Sequence, residues 1–148
     1  MEKQLILEAI ENAKTLHLQQ MHKIENLIKG KEVEDPTPIA KTECLFGKFL
    51  YDDQNELYQM LGEQFFHKLD ILHEQWHKQY FKIYNIYFNK SGGGFISKLF
   101  GSKKIDPLDA DKAKLYFVEL REITDELIHA IDVSKRRLTA LSASKFHN

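Results

Sequence analysis

The chain has 148 residues, 43% of them hydrophobic and 29% charged, the size and proportions of one globular domain able to bury a core without disulfides. Its 21 basic against 22 acidic side chains leave no positive footprint for a phosphate backbone, so nucleic acid is not expected as a partner. No apolar run approaches the roughly 20 residues of a membrane span, and Met1-Glu2-Lys3-Gln4 opens no apolar leader, which points to the cytoplasm.

Two of the three prolines and five of the seven glycines fall in two stretches, with Pro107 directly after the second, a pattern of long helices with two breaks. From Glu2 to Lys29, Ile6, Ile10, Ala13, His17, Met21, Ile24 and Ile28 recur at three- and four-residue steps, the period of one helix face. Gly30 ends this helix, and Pro36 and Pro38 forbid its continuation, so the stretch from Gly30 to Pro38 is a loop. Thr37 and Pro38 then serve as cap and first helical residue of a short helix through Ile39, Cys44, Phe46 and Phe49 to about Tyr51, following the usual preference for proline in the first turn.

Asp53 and Glu56 read as a variant capping box opening a third helix through Leu57, Leu61, Phe65, Leu69, Leu72, Trp76, Tyr80, Ile83 and Tyr87 to Phe88. Residues 89–106 hold Gly92, Gly93, Gly94 and Gly101 around Phe95-Ile96-Ser97-Lys98-Leu99-Phe100 and read as a Gly-rich loop or tether. The apolar piece is too short for the basic amphipathic logic of membrane-surface helices, and membrane contact is not expected. Asp106 and Pro107 cap the last helix, with Leu120, Ile123, Leu127, Ile131, Leu138 and Leu141 as its inner face. The expectation is an all-α, up-and-down helical bundle of three long helices plus a short helix carrying Cys44, over residues 1–148 as one domain.

Four side chains carry the chemistry. His17 lies in the apolar stripe of helix 1 and so turns its imidazole inward. His73 and His77 stand at i and i+4, on one face of helix 3 where both reach the same ion. Cys44, the only cysteine, sits on an apolar short helix; it is a buried hydrophobe, a metal ligand or a reactive thiol. Three imidazoles and a thiolate are the donors zinc prefers, four in number for a closed tetrahedron, which is a structural or regulatory site without an open position for substrate. Copper(I) or cobalt compete for the same donors, whereas magnesium, calcium and manganese prefer oxygen.

The order His17, then Cys44-Leu45-Phe46-Gly47-Lys48-Phe49, then His73-Glu74-Gln75-Trp76-His77 resembles the bacterial chemoreceptor zinc-binding (CZB) domain family. The likeness runs from about Ala9 to Ile83, and the last helix stands where the family has its closing helix. Gln19, Gln20 and Met21 replace the aromatic or large apolar residue that usually follows the family's first histidine, and residues 89–106 look like an insertion. The resemblance implies zinc on His17, Cys44, His73 and His77 in a sensory, non-enzymatic protein; domains of this kind are attached to signalling proteins, and with no output domain in this sequence a free-standing module is expected. Such a protein answers zinc level or oxidation of the cysteine and acts on a chemoreceptor, a cyclic-di-GMP-synthesising enzyme or another bacterial signalling protein.

Three other readings stay open. Glu74-x-x-His77 and Glu126-x-x-His129 spell the motif of di-iron bundles, and the histidine pair also suits a haemerythrin-like oxygen carrier; a metal-free helical adaptor with satisfied core histidines is the third. No Walker A loop, dinucleotide fingerprint or nucleophile elbow occurs. Aromatics on helix 3, Phe65, Phe66, Trp76, Tyr80, Phe81, Tyr84, Tyr87 and Phe88, exceed what one face buries, which suggests a homodimer. His22 and His67 lie off the ligand faces.

Overall fold

The computed structural model describes residues 1–33, 36–88 and 105–146. Among these the elements are α1 (Lys3–Ile28), α2 (Leu45–Leu50), α3 (Leu57–Leu61), α4 (Glu63–Phe88) and α5 (Pro107–Ala140), with single 3-10 turns at Asp53–Asn55 and Ala143–Lys145. The all-α expectation holds. The apolar stripe of α1 is buried from Ile6 to Ile24, and Leu120, Leu127, Ile131 and Leu138 are buried on α5, as the helical period requires.

Cross-links between elements set the directions. Lys3 Nζ donates to the carbonyls of Thr139 and Leu141, Lys135 pairs with Glu11 at 3.0 Å and Lys14 with Asp132 at 3.2 Å, so α1 and α5 are antiparallel. Trp76 Nε1 donates to Thr124 Oγ1 at 2.8 Å, and Gln79 reaches Tyr116 and Glu119, so α4 and α5 are antiparallel as well. Hence α1 and α4 run parallel. The return stroke between them is residues 36–62, a broken arm that descends along α4 and reaches α5: Ile39 lies against His77, Lys41 and Tyr51 against Asp70, and Leu61 against Arg137.

That arm differs from its sequence reading in two places. The short helix begins at Leu45 with Cys44 as its N-cap, not at Pro38. A helix opened at Pro38 would use the Ile39 carbonyl inside its first turn, but this carbonyl accepts from His77 Nδ1 at 3.0 Å, and Thr37 Oγ1 is bonded to Gln20. The third helix is likewise divided: Asp52, not Asp53, caps the 3-10 turn, Glu56 is left-handed at φ 54°, and Gly62 at φ 85° separates α3 from α4. The Phe95–Phe100 segment and nearly all of the 89–106 stretch lie outside the described residues.

Candidate metal centre

α1, α2 and α4 each bring their chemistry to one point. His17, Cys44, His73 and His77 are 2%, 6%, 0% and 4% exposed, and one donor atom from each lies within 4.8 Å of the others. His73 Nε2 is 3.2 Å from Cys44 Sγ and 3.1 Å from His77 Nε2. A tetrahedron with bonds of about 2.0–2.3 Å has edges of about 3.3–3.8 Å, close to this spacing. All four residues expected from the sequence are thus brought together, and no carboxylate joins them among the described residues.

The second nitrogen of each ring decides which nitrogen faces the centre. A backbone carbonyl only accepts, so His17 Nδ1 donates to Ala13 O (2.8 Å) and His77 Nδ1 to Ile39 O (3.0 Å). Tyr51 Oη donates to the Asp70 carboxylate at 2.6 Å and is therefore an acceptor for His73 Nδ1, 3.4 Å away. All three rings consequently present an Nε2 lone pair inward, the outer-contact arrangement typical of metal-binding histidines. With the thiol proton as the only hydrogen at the centre, acceptor lone pairs face one another at 3.1 Å. A cation resolves that contact, so the donor set fits a metal ion.

Burial keeps the donors uncharged. Desolvation lowers His17, against the hydrogen bond to Ala13, and it lowers His73 to about 2 and His77 to about 4, where neighbouring imidazoles add to the effect. Desolvation also pushes the Cys44 thiol up, opposed by hydrogen bonding from Gly47, whose N–H donates to Sγ at 3.2 Å. The imidazoles therefore need lose no proton on binding a metal, whereas Cys44 loses one.

Gly47 matters through its missing side chain. The backbone of Lys41 and Thr42 crosses directly over it, and an added Cβ would overlap the Lys41 carbonyl oxygen. Around the rings, Trp76 stands edge-on to His17 with centroids 5.0 Å apart, and Phe46 edge-on to His73 at 4.9 Å.

The remaining candidates are elsewhere. His22 and His129 are exposed, as is Glu126, and His67 is an exposed partner of Glu63 at 3.7 Å. Glu74 points toward Lys41 and Lys78. The di-iron reading lacks its carboxylates here. Sequence reasoning missed Lys41, Tyr51 and Asp70, of which only Asp70 carried a signal, its place one helical turn before His73.

A bundle that encloses three imidazoles and a thiol in this way has the donor set of a closed, four-coordinate metal centre. The sequence model of the chemoreceptor zinc-binding domain matches residues 17–84, a span that begins on His17 and includes Cys44, His73 and His77. That segment belongs to the chemoreceptor zinc-binding domain family, and its cofactor is zinc. No curated protein and no solved structure gives a significant match to the chain. No helix among the described residues is long and apolar enough to cross a membrane.

Proposed function

We propose that the protein is a zinc-dependent regulator, not an enzyme, in which His17, Cys44, His73 and His77 are the four ligands and the chain as a whole is one domain with residues 89–106 as an insertion. The observation that carries this reading is the convergence of three Nε2 lone pairs and one thiol from α1, α2 and α4 in a buried space. A bound zinc ion supplies metal–ligand bonds that exist only in the folded arrangement, so its binding free energy is folding free energy. Cys44 is the only ligand on the arm between α1 and α4, so release of its thiolate loosens that arm while the two long helices keep their packing on α5.

This makes Cys44 the lever for either signal. Loss of zinc removes one of the bonds that hold the arm, leaving the contacts of Ile39, Lys41, Tyr51 and Leu61. Oxidation does the same: hydrogen peroxide transfers one oxygen to the thiolate Sγ, giving a sulfenate and water, and the weakened donor lets the metal go. The reading places the output in a separate signalling partner of the chemoreceptor or cyclic-di-GMP-synthesising type, with Phe81 and Phe88, both exposed on α4, available for self-association.

Elemental analysis of purified wild type and of Cys44→Ser tests the reading. One zinc per wild-type chain, lost or strongly reduced in the variant, is expected; iron in its place, or no metal in either protein, overturns it.

A further inference from the structure

Asp70 lies one turn before His73 on α4 and touches none of the four proposed ligands, yet it gathers both ends of the Cys44 segment. Lys41 Nζ, three residues before Cys44, reaches Asp70 Oδ1 at 2.8 Å. Tyr51, which follows α2, donates its hydroxyl to the same oxygen at 2.6 Å. Lys41 also sits over the Tyr51 ring, 5.1 Å from its centroid, which closes the triangle. Two further contacts lead from this triangle to the donors: Tyr51 Oη accepts from His73 Nδ1 at 3.4 Å, and the Lys41 carbonyl lies 3.4 Å from Cys44 Sγ while covering Gly47.

Resting on the ligand set proposed above, we infer that Asp70 is a positioning residue for the metal centre, a clasp that holds the Cys44 arm against α4 and, through Tyr51, fixes the tautomer and angle of His73. One carboxylate thereby sets two of the four donors. The ion pairs between α1 and α5, by contrast, join two helices that are already packed together and lead to no ligand. Outer contacts that orient metal-bound histidines change affinity by about 10–100-fold when removed. Cys44 is 6% exposed, so the arm must lift before any reagent reaches its sulfur, and a loosened clasp exposes the thiol in the metal-free protein.

The test uses the full chain carrying Asp70→Asn, Tyr51→Phe or, as a control, Glu11→Gln, which loses the comparable pair to Lys135 on the α1/α5 face. Zinc affinity is read by competition with a chromophoric chelator. The rate of Cys44 alkylation by iodoacetamide is read on metal-free protein, together with its thermal midpoint. Asp70→Asn is expected to bind zinc about 10–100-fold more weakly and to alkylate several-fold faster, Tyr51→Phe to weaken zinc binding while keeping its ring packing, and Glu11→Gln to match wild type in both. A lowered midpoint in Asp70→Asn with wild-type affinity and alkylation rate is the outcome of a merely structural ion pair and overturns the inference, as does an equal loss of affinity in Glu11→Gln. Wild type that takes up no zinc overturns the ligand assignment along with it; wild type loaded with one zinc beside an unaffected Asp70→Asn overturns the clasp alone.

Discussion

Replacing Gly47 by alanine is expected to break the metal centre from a position that carries no ligand atom. The added Cβ would overlap the Lys41 carbonyl oxygen and stand 2.7 Å from the Lys41 carbonyl carbon and 3.2 Å from Thr42 Cα, where ordinary contact begins at 3.4 Å. The carbonyl carbon alone must therefore retreat by about 0.7 Å. Both neighbours are main chain and cannot rotate aside, so either α2 or the strand of backbone before it shifts as a unit, and Cys44 lies at the junction. Zinc sites hold their bond lengths to within about 0.2 Å, several times less than this displacement. The expected cost to the metal-free fold is about 1–3 kcal/mol, the usual range for overpacking, or a drop in thermal midpoint of about 2–4 °C for each kcal/mol in a chain of this size. Zinc affinity falls with it. The assay is chelator competition followed by the fluorescence of Trp76, the only tryptophan, whose ring lies 5.0 Å from the rings of both His17 and His77. A Gly47→Ala protein with wild-type affinity and midpoint would refute both the close backbone approach and its coupling to Cys44.

Acid should destabilise the metal-free protein well before its carboxylates protonate. Burial depresses His73 to about 2 and His77 to about 4 from the ordinary 6.5, so between pH 6.5 and 4 the unfolded chain holds protons that the folded chain does not. Stability is then full above pH 6.5 and falls with pH, by about 2 kcal/mol for each of these two imidazoles at pH 5, which urea midpoints at pH 7 and 5 would measure; an equal midpoint contradicts it. Thr124→Val removes the acceptor of the buried Trp76 N–H and is expected to cost about 1–3 kcal/mol in denaturant unfolding while leaving zinc affinity unchanged.

The parts of this fold that follow from one repeating rule are legible in the residues. The stripe from Ile6 to Ile24 names the buried face of α1, and it carries His17 inward without further information. The i, i+4 spacing of His73 and His77 is equally transparent. The arm from residue 36 to 62 is not, because its conformation depends on contacts distant in sequence. The Ile39 carbonyl turns to His77, Thr37 to Gln20, and Cys44 itself takes the capping role that Thr37 was expected to fill. Likewise, Glu56 in a left-handed conformation defeats a capping-box reading that assumes a continuous helix. Of the outer ring of Lys41, Tyr51 and Asp70, only Asp70 has a local pattern, its place one turn before His73, since the three meet only once the arm has folded back along α4.

The most direct test of the account is X-ray absorption at the zinc edge of the loaded, purified protein. The account predicts a first shell of three nitrogens at about 2.0–2.1 Å and one sulfur at about 2.3 Å, with the sulfur scattering lost in Cys44→Ser. A first shell of nitrogen and oxygen alone in the wild type, or sulfur scattering that survives the Cys44 substitution, would contradict it.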